Sequence, residues 1–127
     1  PTTLMHLHQM TIWLNKKVTK AEIVNEFLNT PRIVILSATS GVQSTAEIME
    51  IARDLGRKRS DLPEVAIFEE SINADGDKVM LSYAVHQESI VVPENIDAIR
   101  AIYGKVTKNE SIKMTDASMG IMSGYLV

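Results

Sequence analysis

The stretch Leu4-Met5-His6-Leu7-His8-Gln9-Met10-Thr11-Ile12-Trp13-Leu14 decides how the rest of the chain is read. Leu4, His6, His8, Met10, Ile12 and Leu14 fall on one side of a two-residue repeat, with Met5, Leu7, Gln9, Thr11 and Trp13 on the other. That alternation predicts a β-strand over residues 4–14. It puts two of the chain's three histidines on the same face, and that face is otherwise apolar.

Beyond the polar turn at Lys16 and Lys17, Thr19-Lys20-Ala21-Glu22 has the form of a capping box, a hydroxyl followed three residues on by Glu. It predicts a helix turning Ile23, Val24, Phe27 and Leu28 inward and ending at Thr30-Pro31, because the residue before proline avoids helical angles. Ile33-Val34-Ile35-Leu36 is β-branched and continuously apolar, as expected of a central strand covered on both faces. The polar loop "SATSGVQ" leads to a second box, Ser44 to Glu47, and to a helix with Ile48, Ile51, Ala52 and Leu55 at helical spacing. Gly56 suits its C-terminal end.

Residues 65–72 and 78–86 read as a hairpin joined by "NADGD", with Asp75-Gly76 as the turn. Pro93, Ile96, Ile99 and Tyr103 outline a third helix that Gly104 can stop. A third box, Thr107 to Glu110, opens a final Met-rich helix with Ile112, Met119 and Met122. The order β-α-β-α-β-β-α-α predicts an α+β fold, a largely antiparallel sheet with helices packed on one face. Residues 1–92 form its main body, and the helices of 93–127 have unattached apolar faces, with Met114, Met119 and Met122 suited to a contact surface.

The composition narrows the function. The 127 residues carry a net charge of −3, so no basic field recruits nucleic acid or an anionic membrane. No apolar run approaches the length needed to span a bilayer. The opening residues lack the charged-then-apolar order of a signal peptide, and a cytoplasmic location is expected. Cysteine is absent, which excludes disulfides, thiolate metal sites and a cysteine nucleophile within this chain. No G-x-G-x-x-G, Walker or G-x-S-x-G pattern occurs, so nucleotide binding by those loops is excluded too.

Three groups of residues remain as candidates. Two same-face strand histidines lie about 6–7 Å apart at Cα, a spacing some zinc sites use, with His86 or a carboxylate needed as a third ligand. A histidine at a strand's end is equally suited to proton transfer near neutrality. The third reading of His6 and His8 is a pair satisfied by backbone or carboxylate partners. "HQES", His86 to Ser89, follows a strand and reads as a site-forming loop or as an ordinary exposed turn. Arg53, Arg57, Lys58 and Arg59 could clamp a phosphate, or stay solvated at a helix C-terminus.

Taken together, "PTTLMHLH", "TPRIVILSA", "STAEIMEIARDLGRKRSDL" and "AVHQESIVVPENIDAIRAI" resemble the C-terminal half of the archaeal-type phosphorylating glyceraldehyde-3-phosphate dehydrogenases. The blocks match in order and spacing across nearly all of residues 1–102, and the tail from Gly104 matches more loosely. The resemblance implies a two-domain enzyme with an N-terminal Rossmann domain for NAD or NADP and a catalytic domain on a largely antiparallel sheet. In that family a cysteine attacks the aldehyde, hydride passes to the nicotinamide, and inorganic phosphate cleaves the thioester to give 1,3-bisphosphoglycerate. The acid–base histidine of the family's motif falls on His6, and its cofactor-contacting glutamine falls on Gln87; no metal is implied.

By the same resemblance this chain is a fragment whose Rossmann domain and nucleophile lie upstream, inactive alone, and part of a homotetramer when whole. Residues 93–127 are then expected to pack on the missing Rossmann domain. The family's "WRES" is replaced by Phe68-Glu69-Glu70-Ser71, and Ile90 stands where an Asp is usual. A different class remains open: a small α+β regulatory module binding a metabolite or metal through His6, His8 and His86. A plain oligomerisation domain is a third reading.

Overall fold

The computed structural model describes residues 4–127. Six strands form one mixed sheet: β1 (Met5–Trp13), β2 (Ile33–Leu36), β3 (Val65–Phe68), β4 (Asn73–Asp75), β5 (Lys78–His86) and β6 (Gly124–Tyr125). The helices are α1 (Lys20–Leu28), α2 (Thr45–Asp54), the single turn α3 (Gln87–Ile90), α4 (Val92–Tyr103) and α5 (Lys108–Met119). The strand order is β1-β5-β3-β2-β6, with β4 beside β5. β5 pairs antiparallel with β1, β3 and β4, whereas β2 runs parallel to β3 and β6. The fold is α+β with a mostly antiparallel sheet, as the pattern predicts.

The local signals act through hydrogen bonds. At the starts of α1 and α5 the box is reciprocal: Thr19 and Thr107 accept from the Glu22 and Glu110 N–H groups, and each Glu accepts from the cap's own backbone. At α2, Ser44 accepts from the Glu47 N–H, but Glu47 reaches one residue further back, to the Gln43 N–H. These bonds, led in each case by the backbone N–H, hold the carboxyls of Glu22, Glu47 and Glu110 below their ordinary values. α4 ends at Gly104 with φ +61, the left-handed geometry that glycine adopts without penalty.

The helices divide between the two faces of the sheet instead of sharing one. Ile23, Val24 and Phe27 of α1 pack with Met10, Ile12, Val79, Leu81 and Ile67. Ile48 and Ala52 of α2 pack with Met5, Val34, Leu36, Ala66 and Ala84 on the other side. β2 contributes to both clusters, through Ile33 to one and Val34 and Leu36 to the other, which is why its sequence is apolar without alternation. A helix after β1 and a parallel β2–α2–β3 crossover leave the chain on opposite sides.

Two elements differ from the sequence expectation. The strand foreseen over 65–72 ends at Phe68, where Glu69–Ser71 form a 3-10 turn, and Asn73–Asp75, foreseen as part of the connecting loop, form β4 and make the hairpin with β5. Ser71 explains the break: its hydroxyl donates to the Phe68 carbonyl (2.6 Å) and accepts from the Ser82 N–H (2.8 Å), replacing ladder bonds. β6, too short to read from pattern, adds a parallel edge beside β2. Met122 is not exposed as foreseen but packs on the α2-side core, and of the three methionines only Met114 is strongly exposed.

Candidate functional site

β1 and β5 run side by side over nine pairs, from Met5 opposite His86 to Trp13 opposite Lys78. That register sets the site. His6 lies opposite Val85 and His8 opposite Tyr83, on the face that α1 covers further along, while His86 shares the other face with Met5. Met10 is the first residue of β1 in the α1-side cluster, and His6 and His8 are exposed at the open end of the face. The apolar face foreseen for them therefore holds for Met10, Ile12 and Leu14 but not around the two histidines.

The three histidine rings have different surroundings. His8 stacks on Tyr83 (centroids 5.0 Å apart, planes 6° apart), and His6 lies against His8 (6.1 Å, 18°). His86 is 2% exposed, its Nδ1 is 2.6 Å from the Ser89 hydroxyl, and Asp61 Oδ1 is 3.6 Å from the same nitrogen. The sequence-level idea of one metal or ligand site built from His6, His8 and His86 fails on this geometry, because strand alternation sends His86 inward from the opposite face. Among the described residues no group of three or more His, Cys, Asp or Glu side chains is arranged to hold a metal ion.

His6 and Gln87, by contrast, meet. His6 Nε2 lies 2.7 Å from Gln87 Oε1, across 81 positions of sequence. In "HQES" His86 ends β5 and the next three residues open the single turn α3, sorted by depth: Gln87 and Glu88 are exposed, His86 and Ser89 buried. The Leu62 N–H donates to Ser89 Oγ (3.1 Å), and the Gln87 N–H donates to the Leu4 carbonyl (3.4 Å). Leu4 takes a left-handed backbone (φ +65), which costs a non-glycine residue about 1 kcal/mol and aims that carbonyl at α3. Leu4, Met5, His6, Leu7, His8 and Gln87 line a solvent-open groove. The family resemblance singles out His6 and Gln87 separately; nothing in the sequence joins them.

The cationic cluster does not gather around one anion. Arg57 turns inward to a bidentate pair with Glu64 (2.5 and 2.6 Å), Arg59 faces Asp61, and Arg53 faces Glu50 and Asp54.

Over the full length of the chain, glyceraldehyde-3-phosphate dehydrogenases are 59% identical in Sulfurisphaera tokodaii, 55% in Metallosphaera sedula and 54% in Saccharolobus solfataricus. The chain belongs with the C-terminal part of the archaeal glyceraldehyde-3-phosphate dehydrogenases. It spans 37% of the length of each of these three relatives. No protein-family model matches it.

The "FEES" stretch has a local role here. Glu69, standing where the resemblance leads one to expect Arg, accepts from the Ala38 N–H (3.0 Å) and the Tyr125 hydroxyl (3.4 Å). It thus ties the loop after β2 to β6. No helix among the described residues is long and apolar enough to cross a membrane.

Proposed function

We propose that this chain is the C-terminal part of an NAD- or NADP-dependent phosphorylating glyceraldehyde-3-phosphate dehydrogenase of glycolysis and gluconeogenesis, and that it supplies the acid–base histidine of that enzyme. The 2.7 Å contact between His6 and Gln87 carries the reading, because two residues singled out separately by the family motif come together in one open groove. The chain alone, lacking cysteine, is inactive.

His6 takes the proton of a cysteine thiol contributed from the upstream part of the protein, so that the thiolate adds to the aldehyde carbon of glyceraldehyde 3-phosphate. His6 returns that proton to the alkoxide formed by the addition. As hydride then leaves the carbon, the neutral His6 accepts the proton of the resulting hydroxyl and the thioester carbonyl forms; inorganic phosphate attacks the thioester carbon, expelling the cysteine thiolate and releasing 1,3-bisphosphoglycerate. A nicotinamide cofactor supplies the hydride acceptor. The Gln87 amide nitrogen, which has no hydrogen-bond partner among the described residues, is a donor suited to a carboxamide.

We assign residues 93–127 to contact with the missing cofactor domain, supported by Ile99, Ile102 and Tyr103, which α4 exposes (Ile102 by 84%). The whole enzyme is a cytoplasmic homotetramer in this reading. In the full-length protein, His6→Ala lowers aldehyde-dependent reduction of NAD(P) at least ~100-fold, the scale of a lost general base. Near-normal turnover in that variant overturns the role.

A further inference from the structure

We propose that Gln87 is a positioning residue for His6 as well as a neighbour of the cofactor: it holds the ring as the Nε2–H tautomer and leaves Nδ1 as the basic nitrogen. Gln87 Oε1 faces His6 Nε2 at 2.7 Å, and an amide oxygen can only accept, so with the amide in this orientation the ring's hydrogen belongs on Nε2. A neutral imidazole carries one N–H, and its remaining lone pair is then on Nδ1. The ring is flanked on one side by His8, itself stacked on Tyr83, so the hydrogen bond and the stack together fix its orientation.

Gln87 is held for this task from beneath. Its own N–H is tied to the Leu4 carbonyl two residues before His6, and the buried His86–Ser89–Leu62 bonds pin the inner side of the same helical turn. The amide is therefore two-ended, with Oε1 toward the base and an amide nitrogen that has no hydrogen-bond partner among the described residues. A residue that served the cofactor alone would need neither that contact nor that anchoring. The proposal rests on the dehydrogenase reading for its catalytic consequence, but the tautomer is a property of the protein by itself.

The test uses the full-length protein with ring-15N histidine, studied by solid-state NMR, with the His6 signals identified by their loss in His6→Gln. We expect the Nε2–H signature in the unaltered protein. Gln87→Met, which keeps the length and removes the acceptor, should lose that signature and lower kcat about tenfold or more, the scale of a removed orienting partner. Gln87→Glu, which retains an acceptor, should keep the signature and lose less kcat than Gln87→Met, while both variants raise KM for the nicotinamide cofactor. In a His6→Ala background, Gln87→Met should add no further loss in kcat.

An Nδ1–H signature in the unaltered protein overturns the proposal, as does an unchanged signature in Gln87→Met, or losses that multiply in the double variant. Normal turnover of His6→Ala beside an Nε2–H signature that depends on Gln87 leaves the positioning intact and overturns the catalytic reading instead.

Discussion

Glu64 has no solvent exposure, yet it is a carboxylate, and it survives there because every oxygen is used. Arg57 donates to both oxygens, and the Met122 N–H donates to one of them (2.7 Å). Burying both ions is costly, but breaking such a pair costs more, because one charge is left without a partner. Arg57→Met should lower stability by about 3–5 kcal/mol in chemical denaturation, and Arg57→Met with Glu64→Leu should recover much of it. Asp97 makes a second case. Burial alone would raise its carboxyl, but hydrogen bonds from Ser111, Thr115 and Arg32 outweigh burial and hold it below the ordinary value. A depressed folded-state value means stabilisation that is present above the unfolded carboxylate's pKa, about 3.9, and is lost as pH falls through the folded one. Asp97→Asn should therefore melt well below the unaltered protein at pH 7, with the gap closing towards pH 3; a gap independent of pH would count against this. Neither partner set was legible in the sequence. Arg57 stood in a run of cations, and its carboxylate lies seven residues on, beyond a change of chain direction.

At the scale of elements, the chain follows local rules wherever those rules involve neighbours in sequence. The three capping boxes and Gly104 mark helix ends because their bonds span three or four residues. β1 and β5 were readable from alternation, and β2 from its lack of it. The break in the strand after Phe68 was not, since it depends on Ser82 lying across the sheet from Ser71. Ser71→Ala should cost about 1–3 kcal/mol, the penalty of leaving the Ser82 N–H unpaired. Hydrogen exchange should locate the change at Ser82; unaltered protection there would mean that the hydroxyl does not replace the ladder. The contact between α4 and α5 also escaped pattern reading, because it is polar: Ser111 and Thr115 are buried, and both donate to Asp97 Oδ1.

Across the whole molecule, Arg32 joins the sheet to the C-terminal helices. It precedes β2 in a left-handed backbone (φ +64), is 8% exposed, and donates to Glu94 (2.6 Å), Asp97 (2.5 Å) and Asp116 (2.7 Å). Arg32→Ala should loosen α4 and α5, seen as faster hydrogen exchange in both, while the β1–β5 ladder keeps its protection; equal loss in all of these elements would show a node that supports the fold as a whole. α3 runs on into α4 through Val91, so the anchored C-terminal helices also help to fix the turn that carries Gln87. By itself the sequence determined the fold class, most helix ends, the long strands and the nomination of His6 and Gln87, because periodicity, capping and motif are properties of nearby residues. Only the tertiary structure decided that α1 and α2 take opposite faces, that His86 is buried away from His6 and His8, and that His6 meets Gln87. Those outcomes follow from strand register and pairing, which bring together groups as many as 81 positions apart and which no local pattern encodes.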